Sequence, residues 1–367
     1  MRDDQMPEPN YTLLYFLLLP VLLIPVVVMA FLLVRGDQAE QYYNRGLRAA
    51  SAGDLAAARA HFEKAGSLGH APSDCNLALL YRSGAVTVDN AAEETLRVLT
   101  RAALNGSMSA EYQLGQLAEN NTPPDYDLAV LHYRRAALGG DVDGLLAMGR
   151  LHEHGLGINK SALLAREFYL KAAESNSMAA CTALGLLYIS PVWGKADYIQ
   201  AEKYLKIAAQ ANYARAFTAL GYICEQKSAD DAAAQQQAGK YYLRAAELND
   251  PEGTVNYADY LYRHGLDSEA LKYYRKAADE LSFPLAWHRL GMFFYRQTEP
   301  DYTQARKYFE KSASTGNAAS WINLGIMAEL GQGGSVDMKK ALNCYQMAEK
   351  LGHADAAKRI KNLQGEL

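Results

Sequence analysis

The sequence has few of the residues and motifs that catalytic and metal sites require. It holds four cysteines in 367 residues, and no Cys-x-x-Cys pair, Gly-x-Ser-x-Gly elbow, Ser-x-x-Lys motif or phosphate-binding loop. His152 and His154 stand two residues apart, so on a helix their rings point to different sides and not at one ion. His152 also occupies a position that recurs along the chain on a helical face expected to be packed, which favours a structural role. We therefore expect a non-enzymatic protein with no cofactor and no metal.

An excess of either charge is also missing. Lysine and arginine total 37 and aspartate and glutamate 41, a net charge of −4, and the charges are scattered along the chain. Nucleic-acid surfaces are normally basic, so we expect no nucleic-acid partner. The cysteines show no pairing pattern, which favours free thiols in a reducing compartment; they are Cys75, Cys181, Cys224 and Cys344.

One long stretch contains no charge at all. The 24 residues from Tyr11 to Val34 would span about 36 Å as a helix, enough to cross a hydrocarbon core. A cleaved signal peptide would have a shorter apolar core and a basic leader, whereas Asp3 and Asp4 precede this one. The pattern predicts a flexible tail over 1–10 and an uncleaved transmembrane helix over 11–34, as in a single-pass protein of a bacterial inner membrane. Counting Lys and Arg beside the helix favours a cytoplasmic repeat domain, and a periplasmic one stays open.

The rest of the chain repeats one pattern nine times. Tyr133-Arg134-Arg135-Ala136-Ala137 is one copy, and the copies follow one another at steps of 32 to 37 residues. A large apolar residue stands four positions before the last residue of each copy, and a small residue eight positions before it. Both therefore lie on one helical face, and we expect the last residue, such as Ala173, to pack tightly there. A period of this length indicates stacked helical hairpins.

Each copy is followed by a predicted helix stop. Three residues after the copy comes Gly or Asn, the residues that best adopt the left-handed conformation ending a helix, and Leu281 alone breaks this column. About twelve residues after most copies comes a second helical signature, typically Leu-Gly, with another small residue five positions earlier. Each unit thus reads as helix A, loop, helix B and stop, with helix A packed on the preceding helix B.

Two loops make the pattern more specific. They read Gly155-Leu156-Gly157-Ile158-Asn159 and Gly331-Gln332-Gly333-Gly334-Ser335. With the Leu-Gly and aromatic-x-x-Ala-Ala columns, the chain resembles the Sel-1-like repeat proteins, relatives of the tetratricopeptide repeat. The resemblance implies an all-α, right-handed α-solenoid of about eight hairpins. Its predicted parts are a tetratricopeptide-like capping hairpin over 39–70, Sel-1-like repeats over 71–352 and a capping helix over 353–367.

The resemblance also implies a function based on a surface. In tetratricopeptide domains the A helices line a concave groove where an Asn can hold a ligand backbone, and Asn76, Asn256 and Asn323 match that position. Arginines and tyrosines converge around Asn256 and suit an extended peptide with acidic groups. The candidate partner-binding residues are Asn256, Asp259, Tyr262, Arg263, His288, Arg289, Met292, Tyr295 and Arg296.

These observations predict a membrane-tethered scaffold or adaptor that binds another protein through its concave face. One alternative is an immunity-type protein that binds and neutralises an effector, a role that the resemblance allows. A less favoured alternative is an enzyme acting on cell-wall material, which would need a buried nucleophile or carboxylate pair at the groove. The identity of the partner does not follow from the sequence.

Overall fold

The computed structural model describes residues 11–227 and 231–366, and every regular element in these ranges is a helix. Nineteen helices are described, with a π-helical turn at Lys276–Glu280 after the fourteenth. Their bounds are α1 Tyr11–Ser51, α2 Leu55–Ser67, α3 Ala71–Arg82, α4 Ala91–Leu104, α5 Met108–Glu119, α6 Tyr126–Leu138, α7 Val142–His154, α8 Ala162–Glu174, α9 Met178–Ile189, α10 Tyr198–Gln210, α11 Ala214–Lys227, α12 Ala232–Glu247, α13 Pro251–Arg263, α14 Asp267–Arg275, α15 Pro284–Tyr295, α16 Tyr302–Ser314, α17 Ala318–Glu329, α18 Met338–Lys350 and α19 Ala356–Glu366.

The helices form two compact units, the first ending at Ser175 and the second beginning at Asn176. Within each unit an odd-numbered helix A pairs with the next helix B, and each helix B contacts the helix A that follows it. The predicted all-α solenoid of stacked hairpins is therefore confirmed. α19 follows the last hairpin in the second unit and buries Ala356 and Leu363 against it.

Helix boundaries follow local side-chain chemistry. Most helices begin after an Asp, Asn or Ser whose side chain accepts a hydrogen bond from a backbone N–H of the first turn, as Asp141 does from Gly144 at 2.7 Å. Helix B ends at a left-handed residue in nearly every hairpin, and all eight residues of the predicted column have positive φ. They are Gly69, Gly106, Gly140, Asn176, Asn212, Asn249, Gly316 and Gly352.

The break in that column at Leu281 has a structural cause. Directly after α14 the chain continues into the π-helical turn Lys276–Glu280, after which the Leu281 N–H donates to the Lys276 carbonyl. A π-turn holds one more residue than an α-turn. The left-handed stop therefore moves by one position, to Ser282 with φ of 52°.

The buried face of helix B follows the 3.6-residue period of the α-helix and not a uniform step of four residues. In α8, Ala165, Tyr169 and Ala172 are buried, whereas the expected packing residue Ala173 is only partly buried. A second step of four residues drifts around the helix, so after Tyr169 the face returns towards its starting direction at a step of three. The buried column is the first alanine of the pair, and the expectation for Ala173 is wrong by one residue.

Small residues of helix A allow two close contacts. A Cβ added to Gly149 would lie 2.3 Å from the ring of Tyr169 in the same hairpin. A Cβ added to Gly144 would lie 2.6 Å from the Cβ of Ala136, on the preceding helix B. Glycine is therefore required at these positions because the neighbouring helices occupy the space of a side chain. This confirms that helix A packs on the helix B before it.

α1 extends from Tyr11 to Ser51, and its last turns form the A helix of the first hairpin. The tail over 1–10 lies outside the described residues, as do most side chains of the predicted anchor at 11–34. Across the part of the chain that the structure does describe, no helix is both long and apolar enough to cross a membrane. The anchor thus stays a prediction from the sequence.

Candidate functional site

A groove of about 410 Å³ opens on the A-helix face of the second unit. Its residues come mainly from α11, α13 and α15, so it extends over three successive hairpins. We call it the arginine groove, and its lining residues are Glu225, Tyr242, Asn256, Asp259, Tyr262, Arg263, Arg289 and Arg296. Six of the nine residues predicted for partner binding lie in this set.

Arg263 is held by a carboxylate from the neighbouring A helix. Its Nη2 pairs with Oε1 of Glu225, which lies 38 residues earlier in the chain. The other oxygen of Glu225 accepts a hydrogen bond from the Tyr242 hydroxyl at 3.0 Å. Because charge-assisted contacts of this kind are stronger than neutral ones, Glu225 fixes the guanidinium in one place.

The next hairpin repeats this arrangement with other residues. Arg289 Nε lies 3.2 Å from Oδ2 of Asp259, and the Tyr274 hydroxyl donates to Oδ1 of the same carboxylate. Burial raises the pKa of Asp259, an effect that the hydrogen bond from Tyr274 and the charge of Arg289 oppose. Arg263 is thus held by a hydrogen-bonded ion pair, and Arg289 lies at ion-pair distance from a carboxylate although its Nε makes no hydrogen bond to the described residues.

Arg296 and Asn256 differ from these pairs. Arg296 is exposed at the end of α15 and forms no ion pair with any residue that the structure describes. The amide of Asn256, on α13, is likewise without a hydrogen-bond partner among residues 11–227 and 231–366. One cation and one amide therefore face the groove with unused hydrogen-bonding capacity.

The remaining three predicted residues do not line the arginine groove. His288 Nδ1 lies 2.8 Å from the Ser320 hydroxyl, and burial together with the nearby Arg289 and Arg296 lowers the pKa of His288 to about 4. Met292 contacts the Asn323 amide through its sulfur, and Tyr295 packs against Tyr302. These side chains pack α15 against α16 and α17 and are not in the groove lining.

The carboxylate–tyrosine arrangement also occurs in the first unit. Glu119 accepts from the Tyr133 hydroxyl at 2.9 Å and from Arg150 at 2.5 Å. Glu153 accepts from Tyr169 at 2.9 Å. Because the carboxylate–tyrosine contact recurs in both units, it is a structural feature of the hairpin, and in the second unit it also lines the groove.

A sequence signal for this feature was present and missed. When helix B has Tyr four residues before the end of its copy, helix A of the same hairpin has an acidic residue after its small residue. The acidic residue usually stands four positions later, as Glu119 does after Gly115. Where helix B carries Leu or Phe, that position holds another residue: Arg82, Ile189 or Tyr295. Tyrosine and carboxylate thus occur together because each satisfies the other when partly buried.

An apolar pocket adjoins the arginine groove and was not predicted. It has a volume of about 200 Å³, and it lies one hairpin earlier, between α9, α11 and α13. Asn256 lines both spaces. We call it the apolar pocket, and its residues are Leu186, Ile189, Arg215, Thr218, Ala219, Tyr222, Glu252 and Asn256.

Comparison with known protein families explains the repeated architecture. The Sel1 repeat matches residues 37–70, 109–141, 142–177, 179–213, 219–250, 251–280, 284–317 and 322–353. The chain is a Sel1 repeat protein. The first match falls on the hairpin that the sequence likened to a tetratricopeptide unit.

The chain also matches longer proteins over part of its length. An uncharacterized protein of Neisseria meningitidis serogroup B is 26% identical over 238 residues, 63% of this chain and 42% of its own length. The chain spans less than half the length of the curated relatives it matches.

Two solved structures share the fold of this Sel1 repeat protein. The protective antigen c5321 of uropathogenic Escherichia coli, which displays an SLR fold, has a TM-score of 0.57 at 20% identity, covering 90% of this chain and 80% of its own. A Sel1 repeat protein from Oxalobacter formigenes has a TM-score of 0.53 at 25% identity, covering 82% of this chain and 89% of its own. Sel1 and tetratricopeptide-like solenoids are typical of protein–protein interaction scaffolds.

Proposed function

We propose that this protein is a membrane-tethered scaffold that binds a segment of another protein in the arginine groove. The observation that carries the proposal is that Arg296 and the Asn256 amide line one groove and that neither has a partner among the described residues. A guanidinium recognises a ligand carboxylate through charge-assisted hydrogen bonds, and an amide can donate to and accept from a peptide backbone. Binding and not catalysis is the chemistry that this pair offers.

The paired arginines have a supporting role in this proposal. Glu225 and Asp259 neutralise Arg263 and Arg289, so an incoming carboxylate would have to compete with an internal one at those positions. At Arg296 no such competition arises from the described residues. We therefore assign recognition of the ligand's acidic group to Arg296 and positioning of the groove walls to the two pairs.

Tethering is supported by the sequence and by the described end of the predicted anchor. The uncharged run of 11–34 is long enough to span a bilayer. Five apolar side chains at its end are about half exposed or more, which suits contact with lipid; they are Val28, Met29, Leu32, Leu33 and Val34. A tether would keep the bound partner near the membrane and raise its effective concentration there.

The groove assignment is tested by partner retention. The tagged full chain is purified from detergent-solubilised membranes of its own cells, and the proteins that co-purify are identified. Arg296→Glu should abolish retention of the partner, whereas Lys272→Glu should leave it unchanged. Lys272 is a suitable control because it is an exposed cation on α14, outside the groove lining. Equal retention by the parent and the Arg296→Glu variant would refute the assignment.

The tether is tested separately by membrane extraction. We expect the full chain to stay in the membrane pellet after high-salt and alkaline carbonate washes, because a bilayer-spanning helix is released only by detergent. A chain starting at residue 36 should appear in the supernatant. Release of the full chain by carbonate, or a mature amino terminus near Phe31, would contradict the anchor.

A further inference from the structure

The apolar pocket and the arginine groove are adjacent parts of one A-helix face. The pocket is centred on α11 and the groove on α13, and Asn256 belongs to both. The pocket presents Leu186, Ile189 and the 42%-exposed ring of Tyr222. An apolar site and a cationic site thus stand side by side, and they share the Asn256 amide, which has no hydrogen-bond partner among the described residues.

We propose that these two sites read a short extended peptide in which a leucine-sized apolar residue stands about three residues from a carboxylate. The proposal rests on the proposed function and adds the ligand's sequence pattern. The apolar side chain fills the pocket at Tyr222, the carboxylate binds Arg296 in the groove, and the Asn256 amide bonds the backbone between them.

The spacing follows from helix packing. Arg296 stands at the end of α15, but its side chain lines the groove centred on α13, one A helix from α11. Adjacent A helices of a solenoid lie about 10 Å apart, so the pocket and the groove centre differ by about that distance. An extended chain rises about 3.3 Å per residue, and three residues therefore bridge the two sites. An extended peptide also leaves its backbone groups free to bond the Asn256 amide, which a helical ligand would not.

Charge supports an acidic partner at the groove end. Arg263 and Arg289 are matched by Glu225 and Asp259, so the lining keeps the charge of Arg296 as its surplus. At the pocket, Arg215 and Glu252 carry opposite formal charges, so its lining has no net charge. The face is therefore complementary to an apolar residue at one end and an anion at the other.

The test uses fluorescein-labelled nine-residue peptides with one Leu and one Asp in a Gly-Ser background. The separation of Leu and Asp varies from one to six residues, in both orders, and fluorescence anisotropy measures binding to the purified full chain. A separation of about three should bind about tenfold tighter than separations of one or six, the factor produced by about 1.4 kcal/mol. Affinity that does not depend on separation, or no binding by any peptide, would overturn the proposal.

Variants assign each end of the peptide. Tyr222→Ser should weaken the Leu/Asp peptide about tenfold and leave a Ser/Asp peptide unchanged, while Arg296→Glu should weaken both. Tyr213→Ser is the matched control, because Tyr213 is 38% exposed and lies outside both linings. Equal losses for Tyr222→Ser and Tyr213→Ser would refute the pocket.

The same variants separate this inference from the proposed function. If the cellular partner is lost with Arg296→Glu but kept with Tyr222→Ser, the scaffold assignment stands and the two-site pattern fails. If the partner is kept with Arg296→Glu, the groove assignment itself fails. Loss of the partner with both variants, each with unchanged helicity, supports both.

Discussion

The hairpins α5–α8 of the first unit and α11–α16 of the second hold their carboxylates in the same way. Glu119 in the first unit and Glu225 in the second each accept from a helix-B tyrosine and pair with an arginine of the next helix A. Beside Glu225, however, the second unit also has Asn256 and Arg296, which pair with no described residue. The shared arrangement is therefore part of how a hairpin is built, and the residues outside it distinguish a candidate binding face.

The largest expected effect tests whether the two units pack alike. Ala136 faces Gly144 in the first unit and Ala245 faces Gly253 in the second, where an added Cβ on the glycine would lie 2.6 and 2.4 Å from the alanine Cβ. Ala136→Phe and Ala245→Phe should each lower the free energy of unfolding by about 1–3 kcal/mol or more, because overpacking forces the helices apart.

Urea unfolding of each variant measures this loss. The control substitutions Arg134→Phe and Lys240→Phe alter exposed neighbours and should cost under about 0.5 kcal/mol. A large loss at only one of the two alanines would show that the hairpins of the two units are not packed equivalently.

Removal of the shared carboxylate should have the next largest effect. Glu119→Gln and Glu225→Gln should each cost about 1.5–3 kcal/mol, since each loses a charged acceptor for a tyrosine and an arginine. Burial opposes the ionised form of Glu119, but the hydrogen bonds from Arg150 and Tyr133 prevail and lower its pKa. Thermal and urea unfolding check both variants. If Glu225→Gln alone left stability unchanged, the carboxylate of the groove would not be structural.

The sequence predicted the features that depend on local geometry. The left-handed stops at Gly and Asn and the recurring small residues of helix A follow from the residue's own size and backbone freedom. The pair Glu225–Arg263 could not be predicted in this way, because its members are 38 residues apart and meet only through the distance between neighbouring A helices. The three groove arginines consequently looked equivalent, and the structure distinguishes Arg296 from the other two.

The smallest expected effect concerns the histidine next to the groove. The pKa of His288 is lowered to about 4 from the ordinary 6.5, so between these values the folded chain binds fewer protons than the unfolded one. Stability should therefore rise with pH across this window and be lost as pH falls through it. His288→Gln should reduce the difference in urea midpoint between pH 7 and pH 5, whereas His154→Gln, at an exposed site of the first unit, should not. An unchanged pH dependence in the His288 variant would contradict the assignment.

The π-helical turn after α14 shows how the architecture accommodates a change in chain length. One extra residue is taken up within Lys276–Glu280, and both Ala277 and Ala278 are buried there. The following helix α15 still begins at Pro284 and packs in the ordinary order. Single-residue insertions at the end of a helix B can thus be absorbed as a local bulge. Residues of α13 and α15, the A helices on either side of the turn, still line one groove, so the repeat can change in length without interrupting that face.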